Sequence, residues 1–300
     1  MYLLPDIKSL KTEPIDLPKA QGIMDKHLEL QFQGFLATPP LWFKNDLFDL
    51  PQFEFPPVPI LSEETIKSES PSLLTNFVLG KRAESFFELV LNHSDRYLVI
   101  ASNIQIKQKK ITLGEIDFLV EDLTKNRQVH IELVSKFYVY DPSFEKELER
   151  WIGPNRKDTL LQKTEKLKLK QFPLLYKAAT APYLSELNLK PEKLQQEVCF
   201  KANLFIPKNL KNKEFELINK ECISGFWVHS EEFTETDYGR FQFLAPRKQD
   251  WSIDPKHGEN WVSYSEIKEN ITELIPQKKS PLIWIKKNRQ QFERLFVVWW

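Results

Sequence analysis

Glycine, cysteine and net charge are all scarce in this chain of 300 residues. With 8 glycines there is little material for a glycine-rich loop that cradles phosphates. Cys199 and Cys222 are the only cysteines, too few for a disulfide framework or a cysteine-rich zinc module, so both read as plain core residues. Lys+Arg and Asp+Glu each total 42, so no global basic field attracts nucleic acid, and such a contact has to come from a local patch. No apolar run is long enough to span a bilayer. The start, Met1-Tyr-Leu-Leu-Pro-Asp-Ile-Lys8, lacks the basic-then-apolar order of a secretion signal. There is no Gly-x-Ser-x-Gly elbow and no His-Glu-x-x-His pair. A cytoplasmic protein without membrane contact is expected.

Proline and aromatic residues are what the first segment does have. Residues 1–71 carry Pro39-Pro-Leu-Trp-Phe43 and Phe53-Glu-Phe-Pro-Pro-Val-Pro-Ile60. Proline removes backbone donors and favours extended backbone, so this arm reads as mostly irregular, wrapped on the core to bury its aromatics, with a short helix within Lys19–Phe35. Residues 72–210 read as the core and 211–300 as a C-terminal α+β extension packed on it. In the core, Lys81–Leu91 has an apolar stripe of Ala83, Phe86, Phe87 and Val90 and is expected to be helical. Tyr97–Ala101, continuing through Ile104 and Ile106, reads as a strand. Two further strands follow at Ile111–Val120 and Val129–Tyr140, then a Lys/Leu-rich helix over Asp158–Tyr176 capped by Asn155 or Asp158, then a strand at Val198–Ile206. The order α-β-β-β-α-β predicts an α/β (α+β) fold with a central mixed sheet flanked by helices. In the extension, Gly225–Val228, Tyr238–Leu244 and Arg294–Trp300 read as strands, and Trp261–Leu274 and Ile285–Phe292 as helices.

The most informative residues are Asp117 and Glu132. The polar stretch Glu121–Gln128 suits a turn, and a hairpin closed symmetrically about Thr124 and Lys125 sets Val120 opposite Val129 and Asp117 opposite Glu132. Directly opposed residues have Cβ atoms about 4.5–5.5 Å apart on one face. Two carboxylates that close repel unless a cation or a shared proton offsets the repulsion. A divalent-metal site is the leading expectation. Alternation on the second strand sends Val129, Ile131, Leu133, Phe137 and Val139 to a core face. His130, Glu132, Val134, Lys136, Tyr138 and Tyr140 go to the other, the candidate site face.

Gly114-Glu-Ile-Asp117, then Ile131-Glu132 followed by Lys136, with a helix bearing Glu84 before and another helix after, resembles the PD-(D/E)XK nuclease superfamily. Most of the chain more closely resembles a bacterial family of unknown function grouped with that superfamily, domain-of-unknown-function family 1853. The matching stretches are Ala37-Thr-Pro-Pro-Leu41, Gly80-Lys-Arg-Ala-Glu84, Gly114–Asp117, Glu132-Leu-Val-Ser-Lys-Phe-Tyr138, Gly153-Pro-Asn-Arg-Lys-Asp158 with Lys163 and Gln171, and Arg294–Val298. The resemblance implies a restriction-endonuclease-like core and metal-dependent phosphodiester hydrolysis. It implies Mg²⁺ or Mn²⁺ held by Asp117 and Glu132, with Glu84 completing the site through water. A lysine would orient the attacking water and stabilise the transition state.

One departure from the superfamily pattern is specific. The usual lysine lies two residues after the acid, where this chain has Val134. Lys136 comes four residues on, roughly 13 Å along a regular strand. A bulge at Lys136, or Lys163 on the following helix, are the two ways to supply the amine, with Lys136 taken first. Arg156, Lys157, Lys166 and Lys170, with Gln171, form the expected nucleic-acid surface, although a run of lysines on a solvated helix face is as ordinary an explanation. His130 reads as a packed strand residue beside the site, Glu88 as an exposed helix residue, and Trp299 and Trp300 as packing against the sheet. The competing expectation is a catalytically inactive relative that keeps the fold and binds nucleic acid (DNA or RNA) or a protein partner.

Overall fold

The structure is a computed structural model that describes residues 27–43, 48–75 and 78–300. The helices are α1 (His27–Ala37), α2 (Glu63–Glu69), α3 (Leu79–Asn92), α4 (Leu160–Lys166), α5 (Phe172–Leu174), α6 (Ala181–Glu186), α7 (Glu235–Tyr238) and α8 (Tyr264–Leu274). The strands are β1 (Tyr97–Gln108), β2 (Ile111–Asp122), β3 (Arg127–Tyr140), β4 (Trp151–Ile152), β5 (Gln195–Pro207), β6 (Ile223–His229), β7 (Gln242–Leu244), β8 (Leu282–Lys286) and β9 (Phe292–Val298). The nine strands form one mixed sheet in the order β1-β2-β3-β5-β6-β9-β8-β7, with β4 on the end of β3. The expected α-β-β-β-α-β succession is present as α3-β1-β2-β3-α4-β5.

The antiparallel meander β1-β2-β3 follows from its two polar turns. Asp122 organises the second turn, accepting from Arg96, Thr124, the Lys125 N–H and Arg127. Asn126 takes the left-handed backbone (φ 47°) that Asn tolerates better than most residues. The chain then crosses over through α4 and returns as β5, parallel to β3 along eleven paired residues from Val129↔Gln195 to Val139↔Phe205. Parallel β6 and β9 continue the sheet, and antiparallel β8 and β7 close it.

Both faces of β3 are buried, the candidate site face as well as the core face. Val129, Ile131 and Leu133 pack under α3 with Phe87 and Phe118. Val134, Tyr138 and Tyr140 pack under α4 with Leu160, Leu167 and Phe172. The cause is the second helical layer, which covers the candidate site face.

The N-terminal arm is woven into the sheet as well as wrapped on it. Leu41 and Phe53 donate backbone hydrogen bonds to Phe200 and Val198 of β5, and Val198 donates to Pro51. These bonds serve the stretch of β5 that lies before its pairing with β6 begins at Leu204. The arm helix is His27–Ala37, overlapping the expected window Lys19–Phe35 and running past it to Ala37, while residues 1–26 lie outside the described residues. The buried Lys201 amine caps it, donating to Thr38 O (2.5 Å) and Leu36 O (3.3 Å) between the rings of Phe35 and Phe55.

Three local expectations need correction. Ile285–Phe292 is not a helix: Leu282–Ile285 is wholly buried between β7 and β9, and a turn closed by Lys287 N–H to Gln291 O leads into β9. Of Tyr238–Leu244, only Gln242–Leu244 is strand, because Tyr238 ends the short helix capped by Thr234. The helix expected over Asp158–Tyr176 is α4, a π turn (Leu167–Gln171) and α5, and its cap is Thr159, whose hydroxyl accepts from Gln162 N–H. Pro173 cannot donate to the carbonyl one turn back, which accounts for the local rewinding. Asn155 instead accepts from Ser280 N–H, and Asp158 pairs with Lys136.

Candidate functional site where two strands part

The β2–β3 ladder pairs residue for residue from Asp122↔Arg127 to Phe118↔Ile131, the register expected from the symmetric turn. Beyond that rung the strands diverge. A cavity of about 450 Å³ opens there, bordered by Gly114, Glu115 and Asp117 of β2 and Leu133–Lys136 of β3. Helix α3 contributes Glu84, and the α4–π segment contributes Lys163, Lys166, Lys170 and Gln171. Gly114 lies close under Leu174: a Cβ there would come within 2.8 Å of Leu174 Cδ2, so that side chain would have to shift.

Asp117 and Glu132 meet at the point of divergence. Asp117 Oδ2 accepts the Leu133 backbone N–H at 2.9 Å, and the charge of the Glu132 carboxyl bears on Asp117. Glu132 is fully buried and Asp117 nearly so. Burial, then the charge of Glu132, pushes Asp117 up to about 7. Burial pushes Glu132 up to about 7 as well, although Lys163 opposes the rise. Two such carboxyls hold a proton between them at neutral pH when no cation is bound.

Glu132 is gripped from both sides. His130 Nε2 lies 3.0 Å from Oε1, and Gln171 Nε2 donates to Oε2. Gln171 Oε1 in turn accepts from Lys163 Nζ at 2.9 Å. Lys163 and Gln171 are eight residues apart, about 80° beyond two full turns of an ideal α-helix. The π turn winds less per residue and brings the two side chains back to one face. Burial holds Lys163 below the usual lysine range, against the pull of Glu132 and Asp117. Burial also holds His130 down to about 4, so its imidazole is neutral.

The remaining predicted residues are distributed as follows. Glu84 borders the cavity but is held by Lys81, which bridges Glu84 (2.6 Å) and Glu115 (2.7 Å). Burial, then the partly offsetting pull of Lys81, leaves Glu84 raised, with Asp117 adding to the rise. Lys136 reaches the cavity wall with its ammonium on Asp158 at 2.6 Å, so of the two amines it is Lys163 that bears on the carboxylates. Lys166 and Lys170, one turn apart, line the mouth. Arg156 is elsewhere, paired with Asp141 and stacked on Trp300, and Lys157 is exposed beside it. Trp300 packs on Trp227 and donates to Pro154 O. Glu88 accepts from Ser102 Oγ on β1. Gln196 and the orienting contacts of His130 were not foreseen. The signal for His130 was its place two residues before Glu132, on the same face; Gln196 arrives only through the β3–β5 register, His130↔Gln196.

Among the described residues no group of three or more His, Cys, Asp or Glu side chains is placed to hold a metal ion. The structure brings two of the three expected acids together and leaves the third with Lys81. That donor set still fits a hard cation: Mg²⁺ commonly takes one or two carboxylates and completes its shell with water and substrate phosphate. The offset repulsion of a buried carboxyl pair is what a cation would supply.

A family model described as "Domain of unknown function (DUF1853)" matches residues 60–298, and the chain belongs to that family. No curated protein matches the chain, and no solved structure matches it. Among the described residues no helix is long and apolar enough to cross a membrane.

Proposed function

We propose that the α3-β1-β2-β3-α4-β5 unit is a restriction-endonuclease-like core and that the chain is a metal-dependent nuclease. The observation that supports this most is the buried Asp117–Glu132 pair at the fork of β2 and β3, facing Lys163 in a cavity whose mouth carries Lys166 and Lys170. Asp117 and Glu132 would hold Mg²⁺ or Mn²⁺. When bound, the ion supplies Lewis-acid stabilisation of charge on the phosphoryl oxygens. Lys166 and Lys170 are free of ion pairs among the described residues and sit where a phosphodiester backbone would enter. Lys163, anchored through Gln171, orients the attacking water and answers the negative charge of the transition state. The water oxygen bonds to phosphorus as the P–O ester bond breaks; the water gives up one proton to solvent and the leaving oxygen takes one up from solvent, so the step balances. Lys136 stays with Asp158 on the rim. A cytoplasmic location goes with this reading, in keeping with two buried free thiols.

A second reading, a non-catalytic nuclease-fold protein that binds nucleic acid or a protein, is favoured by one observation: both Glu132 oxygens already have donors, His130 and Gln171. The test is cleavage of single- and double-stranded DNA and RNA with Mg²⁺ or Mn²⁺. Cleavage that disappears in Asp117→Asn and in Glu132→Gln supports the nuclease. Divalent-dependent cleavage that survives both rejects this site. No cleavage of any substrate, with nucleic acid still bound, supports the second reading.

A further inference from the structure

His130 and Glu132 are both fully buried, and His130 has one neighbour that settles its protonation pattern. Gln196 Nε2 lies 2.9 Å from Phe172 O and 2.9 Å from His130 Nδ1. A backbone carbonyl only accepts, so the Gln196 atom facing Phe172 O has to be the amide NH₂, which removes the usual ambiguity of a glutamine flip. The second N–H of that group then points at His130 Nδ1, which must be the acceptor. The imidazole proton therefore sits on Nε2, and that N–H is the one 3.0 Å from Glu132 Oε1. The Phe172 ring meets the imidazole edge-on, centroids 5.6 Å apart at 84°, and fixes its plane.

We infer that Gln196 and His130 form a positioning pair that sets the orientation of the Glu132 carboxylate, with Gln196 selecting the Nε2–H tautomer and His130 delivering it to Oε1. This rests on the reading of Asp117 and Glu132 as a cation site. Outer-shell donors of this kind aim a ligating carboxylate, and their loss typically costs about 10–100-fold in metal affinity. With Oε1 held by His130 and Oε2 by Gln171, the carboxylate is locked about its terminal torsion. Its remaining lone pairs are left for Asp117's side of the cavity. The pair touches no substrate; it acts through Glu132 alone.

The test has two arms. The first is the long-range ¹H–¹⁵N spectrum of the histidine side chains in the chelator-treated full chain, with His130 assigned by its absence in His130→Gln. The expected pattern is a neutral Nε2–H ring that becomes a tautomer mixture in Gln196→Leu. The second arm is Mn²⁺ affinity by electron paramagnetic resonance. His130→Gln, whose amide can replace the Nε2 donor, should stay within about threefold of the parent. His130→Asn, which cannot reach, and Gln196→Leu should weaken binding about 10–100-fold. An Nδ1–H ring in the parent, or His130→Asn binding as tightly as the parent, overturns the inference. If the parent takes up no Mn²⁺, the cation site itself is rejected, and the positioning pair is overturned with it as a metal-site device even when the Nε2–H ring is seen. Mn²⁺ bound normally but no cleavage leaves the pair standing and rejects only the nuclease.

Discussion

Asp117, one residue past the last paired rung of β2 and β3, accepts at Oδ2 the backbone N–H of Leu133, two residues past it, at 2.9 Å. A side chain thus takes over a ladder hydrogen bond at the point where the strands part, so the residue that shapes the fork is also a candidate ligand. The two roles separate by substitution. Asp117→Asn keeps an acceptor for Leu133 and should leave stability close to the parent's, whereas Asp117→Ala leaves a buried N–H without a partner and should cost about 1–3 kcal/mol in urea denaturation. Equal stability of the two variants would show that the bond does not shape the fork.

Burial raises both Asp117 and Glu132 to about 7, with the neighbouring charge adding to the rise of Asp117. Unfolded carboxyls titrate near pH 4. Between those values the folded chain binds more protons than the unfolded one, so this contribution is fully present below about pH 4 and is lost as pH rises through about 7. Chelator-treated protein should lose thermal stability from pH 5 to pH 8, by on the order of 3 kcal/mol. Glu132→Gln should flatten the slope, and excess Mn²⁺ at pH 8 should restore the loss. A profile that rises over this range contradicts the buried pair.

The two amines should part company in kinetics. Lys163→Ala should lower kcat by about 10²–10³, as removal of a charge-stabilising donor does elsewhere. Lys136→Ala should cost less than about tenfold, because its ammonium serves Asp158. The reverse ranking would mean that Lys136 leaves Asp158 to enter the site during turnover.

The arm is expected to be integral to the fold. Lys201→Met keeps the stem among Phe35 and Phe55 but strands the carbonyls of Leu36 and Thr38. A loss of about 1–3 kcal/mol is expected, read as a lower urea midpoint at unchanged slope. A chain beginning at residue 60 should expose the β5 backbone that now bonds Leu41 and Phe53, and should aggregate. Full solubility and cooperative unfolding of that shorter chain would contradict this.

How far the sequence could be read depended on how local each determinant was. The β2–β3 register was legible because a short polar turn fixes it, and Val120 does face Val129. The stripe of Ala83, Phe86, Phe87 and Val90 likewise announced α3. Ile285–Phe292 was misread as a helix because nothing in that polar stretch marks the turn between Lys287 and Gln291, which the pairing of β8 with β7 and β9 imposes. The π turn that joins Lys163 to Gln171 has no periodic signal of its own. Gln196 reaches His130 only because β5 returns parallel to β3 some 66 positions later in the chain. Asp117, Glu132, Lys163 and Gln171 could therefore be named from the sequence, whereas the His130–Gln196 contact behind Glu132 and the hold of Lys81 on Glu84 could not.

The most direct measurement is a calorimetric titration of Mn²⁺ into the chelator-treated full chain, its Glu132→Gln variant and its Asp117→Asn variant. One bound ion in the parent, weakened at least tenfold in each variant while Lys136→Ala binds normally, is the expected result. No binding by the parent, or equal affinity in all four proteins, would show that the buried carboxyl pair holds a proton rather than a metal.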